Sequence, residues 1–242
     1  MKCIIPLAGP DFLIQGLPSV KPLLDIDGRP LLEAALSTRA YWQNGDVGPD
    51  DLIFVVRDIP STQAFVAYLR YQFPGCKTVM VSALTGGALY SALAGASLIT
   101  SDDEPVVVEL ADILYTDTSH VNRLFAENPD IGGVIPYFES ENPKYSYLDI
   151  PDLNTQDVRR TKEKEVISTH ASSGTYYFRS LSVFLAAAAM SVSQRDDYQV
   201  KGALFICPTF NPVIHAGWKV VGLPVRLERC VSTWIKTLEA TS

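Results

Sequence analysis

Apolar and polar positions fall in blocks along this chain that predict strands and helices in turn. Cys3 to Leu7 is a continuous apolar run, the pattern of a strand buried on both faces. It ends at a loop holding Gly9, Pro10, Gly16 and Pro18. Leu23 to Ile26 forms a second short run that turns at Asp27-Gly28, and Pro30 opens a helix. Leu52 to Val56 predicts a strand. Thr62 to Phe73 predicts a helix, with Phe65, Val66, Leu69 and Phe73 at helical spacing. Thr78 to Val81 is a strand, Gly87 to Ile99 a tightly packed small-residue helix, and Pro105 to Leu110 a strand that is apolar except for Glu109. Val121 to Glu127 reads as a helix and Gly132 to Phe138 as a strand. This alternation predicts an α/β fold whose mostly parallel sheet is covered on both faces.

The texture then changes. Tyr145 to Ile150, Val166 to Ile167 and Gly174 to Phe178 read as short strands with polar connections, and Leu181 to Met190 as an alanine-rich helix. Phe205 to Ile214 leads into Val220-Val221 and Val225, and a last helix starts at Thr233. There is no repeat, low-complexity tract or long linker. One domain over 1–242 is expected, with a first half (1–138) and a second half (139–242) of different texture. The stretch from Glu139 to Arg160 forms the lip between them.

Composition narrows the function. The chain has 242 residues, 47% hydrophobic and 19% charged, enough for a sizeable core. Its formal charge of -7 disfavours binding to long nucleic acids, which relies on clustered Lys and Arg, but leaves room for a small anionic ligand. The four cysteines, Cys3, Cys76, Cys207 and Cys230, form no CxxC pair and no zinc spacing with His120, His170 or His215. Cys3 and Cys207 lie in apolar runs and read as core thiols. The start breaks at Pro6, too early for a signal peptide, and the longest apolar tract falls well short of the ~20 residues of a membrane helix. A reducing cytoplasm, with no membrane insertion, is the simplest location.

Several residues carry candidate chemistry. Asp112 ends a buried strand, where a carboxylate projects into the crevice of an α/β sheet and can hold Mg²⁺; a helix N-cap or a solvated loop acid is the alternative. Lys21, before Pro22, is a cation beside the first loop, where a phosphate usually sits. Gly86-Gly87 either let a base or phosphate approach the backbone or make a tight turn. In Lys162-Glu163-Lys164-Glu165, Lys164 can bind a phosphate and Glu163 sugar hydroxyls; a solvated hairpin edge is the alternative.

Taken in order, these segments resemble the sugar-phosphate nucleotidyltransferases, in particular glucose-1-phosphate thymidylyltransferases of a branch associated with capsular and surface polysaccharide synthesis. The resemblance is carried by Ile4-Ile5-Pro6-Leu7-Ala8-Gly9, Lys21-Pro22-Leu23-Leu24, Thr85-Gly86-Gly87-Ala88, Ala111-Asp112 and Pro143-Lys144-Tyr145-Ser146-Tyr147. Its most specific part is Glu163-Lys164-Glu165-Val166-Ile167-Ser168, followed by Ala171-Ser172-Ser173-Gly174-Thr175-Tyr176-Tyr177-Phe178; Cys207-Pro208-Thr209-Phe210-Asn211 closes the set. It implies a Rossmann-like, three-layer fold of the glycosyltransferase-A type with a mixed, mostly parallel sheet. It also implies that Leu7, Ala8, Gly9, Lys21, Gly86 and Gly87 bind the nucleotide. Tyr145, Glu163, Lys164 and Gly174 would bind the sugar phosphate, and Asp112 would bind Mg²⁺. Lys21 and Asp112 become the catalytic pair. The implied partners are a nucleotide and a sugar phosphate; a homo-oligomer is left open.

Two departures from the family pattern stand out. The first loop runs Gly9-Pro10-Asp11-Phe12-Leu13, without the second glycine and the arginine of G-x-G-[ST]-R. Near Cys230-Val231-Ser232-Thr233, Cys230 takes the position of a second metal-binding Asp, and a thiol is a poor ligand for Mg²⁺. Three readings follow: a nucleotidyltransferase, a catalytically silent relative that binds a sugar phosphate or nucleotide sugar, and a glycosyltransferase of the same fold.

Overall fold

The computed structural model describes residues 1–14 and 20–231. Gly16, Pro18 and the helix expected from Thr233 lie outside the described residues. The first half contains β1 (Lys2–Pro6), β2 (Asp25–Ile26), β3 (Arg29–Pro30), α1 (Leu31–Ser37), α2 (Ala40–Gln43), β4 (Leu52–Arg57), α3 (Thr62–Gln72) and β5 (Lys77–Val81). It continues with α4 (Ala88–Ala96), β6 (Val106–Glu109), β7 (Ile113–Thr116), α5 (Val121–Glu127) and β8 (Ile131–Glu139). The second half adds β9 (Ser146–Asp149), β10 (Arg160–Glu163), β11 (His170–Ser172), β12 (Thr175–Phe178), α6 (Leu181–Ser193), α7 (Arg195–Tyr198), α8 (Phe210–His215), β13 (Lys219–Pro224) and β14 (Arg226–Cys230).

One sheet runs β10, β9, β11, β8, β12, β6, β1, β4, β5, with β13 on β8 as well. Alternate side chains of its parallel strands feed two cores. Cys3, Ile5, Phe54, Val56 and Val107 pack against Leu32, Leu36, Phe65 and Phe125 of α1, α3 and α5. On the other face Ile4, Ile53, Val55, Val106 and Val108 pack against Leu89, Phe184, Phe210 and Val213 of α4, α6 and α8. A β-strand with both faces covered must be apolar throughout, which is why these strands read as unbroken runs. The small residues of α4 serve close packing: a Cβ on Gly95 would meet Ile4 Cγ2 at 2.6 Å.

The fold is the expected three-layer α/β arrangement, but its sheet is mixed and only partly parallel, where a mostly parallel one was expected. The parallel pairing holds through β6, β1, β4 and β5 and again between β8 and β13. It gives way to antiparallel pairing where β8 to β12 meet one another and where β12 joins β6. The short links of the second half leave no room for parallel crossovers.

One short strand lies elsewhere than expected. Val166-Ile167 is not a strand; Val166 is exposed, and the strand is β10, earlier in the chain. The inward residues of β10 are polar, Thr161 and Glu163, and the Thr161 hydroxyl donates to the Cys207 carbonyl at 2.8 Å. Hydrophobic alternation therefore missed it. Cys3 and Cys207 are fully buried, and burial pushes both thiols well up. No helix among the described residues is long and apolar enough to cross a membrane.

Candidate functional site

A cavity of about 710 Å³ opens at the C-terminal ends of β1 and β6, where α/β sheets bind ligands. After β1, the Leu7 N–H donates to the Val55 carbonyl at 2.7 Å, and Ala8 is buried behind the cavity wall. Gly9 precedes a tight 3-10 turn, Pro10–Phe12, that sets Asp11 at the rim of the cavity; a second, Lys21–Leu23, presents Lys21. Lys21 Nζ contacts Asp11 Oδ2 at 2.6 Å and Asp112 Oδ2 at 3.3 Å. Burial opposes the ammonium, but the charges of Asp112 and Asp11 more than offset it and hold its pKa above the usual lysine range. Asp11 is likewise held below the usual carboxylate range: burial raises it, and the charge and hydrogen bond of Lys21 outweigh that.

Asp112 is presented by backbone that two buried charges clamp on either side. Ala111 has φ of +54°, a left-handed conformation that costs energy for a residue with a Cβ. Its N–H donates to Glu109 Oε1 at 2.8 Å. Arg39, fully buried, meets Glu109 in a bidentate pair at 2.8 and 3.0 Å, and its Nη2 also donates to the Ile113 carbonyl at 2.8 Å. Glu109 Oε2 accepts from Thr175 Oγ1 at 2.6 Å and from the Tyr41 hydroxyl at 3.3 Å. The guanidinium lies 3.8 Å from the Tyr115 ring centroid. Burial works against the Arg39 charge, and Glu109 more than restores it. The residues before and after Asp112 are thus each tied to one member of the pair.

At a second end of the cavity, α4 points its N-terminus inward through Gly87 and Ala88, beside Thr85 and Ser91. Gly87 has φ of +125°, and a Cβ there would lie 2.2 Å from the Leu204 carbonyl oxygen, so only glycine fits. Gly86 does not line the cavity; its carbonyl accepts from the Leu204 N–H at 2.8 Å, and the Tyr90 ring covers it.

Tyr145, Glu163, Lys164 and Gly174 line the third side with Ser146, Ser172 and Tyr176. Glu163 lies opposite Ser146 across the β9–β10 ladder and accepts its hydroxyl; only 6% of its side chain is exposed. Lys164 Nζ stands 4.0 Å from Glu163 Oε1 and 4.4 Å over the Phe205 ring. Burial raises the Glu163 pKa against the opposing effects of Ser146 and Lys164. Between the unfolded and the folded pKa the native state holds the extra proton, so stability falls as pH rises through that window. Glu163→Gln is expected to gain stability relative to the parent as pH rises from about 4.3, the ordinary glutamate value. Urea unfolding at a series of pH values checks this, and a difference independent of pH would contradict it.

The cavity offers a metal few ligands of its own. Asp112 brings one carboxylate to the cavity, and among the described residues no three His, Cys, Asp or Glu side chains gather. Cys230 faces Ile113 in the β7–β14 ladder, and the Val231 N–H donates to the Asp112 carbonyl at 3.2 Å, so a thiol stands beside Asp112. One carboxylate suits Mg²⁺ arriving on phosphate oxygens, not a protein cage.

The structure therefore brings Leu7, Gly9, Lys21, Gly87, Asp112, Tyr145, Glu163, Lys164 and Gly174 to one cavity, and leaves Ala8 and Gly86 just behind its wall. His120, His170 and His215 stand outside it. Sequence reasoning missed Arg39. A carboxylate inside the apolar run of β6 was the available signal, because a buried charge needs a partner.

No protein-family model and no curated protein matches the sequence. Solved structures share the fold. A nucleoside-diphosphate-sugar pyrophosphorylase from Vibrio cholerae RC9 aligns over 98% of this chain and 99% of its own, at 20% identity and a TM-score of 0.80. A protein described as a glucose-1-phosphate thymidylyltransferase from Bacillus anthracis, in complex with a sucrose, aligns over 94% and 88%, at 17% identity and 0.72. The inositol-1-phosphate CTP transferase of T. maritima aligns over 92% and 84%, at 13% identity and 0.66.

Proposed function

We propose that this cleft transfers a nucleotidyl group from a nucleoside triphosphate to a sugar 1-phosphate, making a precursor for surface or capsular polysaccharide. The observation that carries the reading is Lys21 in contact with Asp112 on one side of a cavity whose other side holds Glu163 and Lys164. In this reading residues 1–138 take the nucleotide. Leu7, Gly9 and Lys21 run along its phosphates and Gly87 stands near the base, while Ala8 and Gly86 support them from behind the wall. Residues 139–242 take the sugar phosphate through Tyr145, Glu163, Lys164 and Gly174.

A sugar-phosphate oxygen attacks the α-phosphorus in line. A new P–O bond forms, the bond to the bridging oxygen breaks, and pyrophosphate leaves with the electron pair. Such chemistry asks the protein mainly to position two anions and offset their charge. Lys21 and Lys164 supply fixed positive charge on the two sides. The clamped turn holds the Asp112 carboxylate in place. When bound at Asp112, Mg²⁺ would supply Lewis-acid stabilisation of phosphate oxygens.

The test is pyrophosphate release with each nucleoside triphosphate, Mg²⁺ and a panel of sugar 1-phosphates. No release with any pair from folded protein would remove the reading. Lys21→Ala is expected to weaken nucleotide binding by ~1.5–3 kcal/mol, about ten- to a hundredfold, through loss of a charge-assisted contact. Calorimetric titration measures this; unchanged affinity would take Lys21 out of the site. The contact of Asp11 with Lys21 favours a second reading, a binding protein without turnover. Thermal stabilisation by a nucleotide sugar without pyrophosphate release would single it out.

A further inference from the structure

Lys21 carries three N–H donors, and two of them already face carboxylates. The nearer one belongs to Asp11, at 2.6 Å, on the turn that follows β1. Its side chain folds back over the loop backbone: a Cβ built on Gly9 would lie 2.7 Å from Asp11 Oδ1. A carboxylate therefore sits at the head of the loop and holds the lysine that faces it. Lys21, Asp11 and Asp112 together sum to one net negative charge. Lys164 adds a further attraction that keeps Asp11 ionised. Asp11 is two-thirds exposed and Lys21 only 14% exposed, so the aspartate is the partner able to leave.

We propose that Asp11 is a specificity-determining residue: it acts as an internal counter-anion on Lys21 and excludes polyphosphate that arrives without a cation. This rests on the reading of the cleft as a nucleotide phosphate site. A bare phosphate chain must displace the Asp11 carboxylate and then lie beside it, two like charges next to one ammonium. A chain whose charge a divalent cation has reduced meets less of that repulsion. The same competition acts on released pyrophosphate, because Asp11 regains Lys21 as that product leaves. The site thereby disfavours retention of the bare leaving group.

The experiment titrates inorganic tripolyphosphate into the full chain by calorimetry, with chelator present and no divalent cation. The parent, Asp11→Asn, Lys21→Ala and Asp11→Asn/Lys21→Ala are compared, each checked for an unchanged melting profile. Asp11→Ser gives a second removal of the charge should the asparagine variant fold poorly. The expected result is at least tenfold tighter tripolyphosphate binding in Asp11→Asn, with the gain lost in the double variant. The gain should shrink as salt rises, since Asp11 is exposed and its charge is screened. Equal or weaker binding in Asp11→Asn, or no binding by either protein, would overturn the proposal. So would a gain that survives without Lys21, because that is a bulk charge effect. None of these readouts involves turnover, so absent pyrophosphate release would count against the proposed reaction while leaving the Asp11 result to stand or fall separately.

Discussion

Glu109→Ala is expected to destabilise the protein by about 3–5 kcal/mol, the cost of leaving a buried charge without its partner. Arg39 is fully buried, and its other contacts among the described residues are the Ile113 carbonyl, the Thr38 hydroxyl and the Tyr115 ring, none of them an acid. The substitution also strips the acceptor from the Ala111 N–H and from the hydroxyls of Thr175 and Tyr41, although Tyr115 can still engage Thr175 at 2.5 Å. Urea unfolding reads the loss as a fall in midpoint. A double replacement, Arg39→Met with Glu109→Leu, is expected to recover most of it, since two apolar groups leave no charge stranded. A loss under about 1 kcal/mol in Glu109→Ala, the level of an exposed pair, would mean that water reaches the cluster.

Asp112→Asn is expected to lower pyrophosphate release about 10²–10³-fold, the range for removing one fixed electrostatic group from a reacting centre. The fold should be unaffected. The turn under Asp112 is held by Glu109 and Arg39 through the backbone of its neighbours, and the side chain itself is 30% exposed. The variant therefore separates chemistry from stability, as Glu109→Ala does not. Stabilisation by triphosphate with Mg²⁺ should be lost as well, while binding of the sugar phosphate opposite should persist. Full turnover in Asp112→Asn would show that the carboxylate has no part in the reaction.

Apolar burial made several elements legible, although β7, apolar and buried, went unread directly after the break at Asp112. β4, α3 and α5 match their expected spans within a residue or two, because covered strands and amphipathic helices write their period directly. β10 and β14 escaped for the opposite reason. The first turns Thr161 and Glu163 inward, and the second reads Arg226-Leu227-Glu228-Arg229-Cys230. The cavity residues were legible because each sits where an apolar run breaks, as with Gly9 and Asp112, or inside a short ordered motif, as with Glu163 and Lys164. Arg39 has no such marker. Its meaning lies in a partner 70 residues away, and no local pattern encodes that distance.

The Arg39–Glu109 pair also bears on how this chain can change through descent. With typical stabilities of about 5–15 kcal/mol, a single step at either position consumes a large part of the margin that keeps the protein folded. The two residues are therefore free to drift only together, or in a background already enriched in stabilising substitutions. Asp11, largely exposed, carries no such constraint. Single substitutions at the exposed rim of this cleft thus leave the stability margin largely intact, whereas the foundation under Asp112 tolerates change only at both positions together.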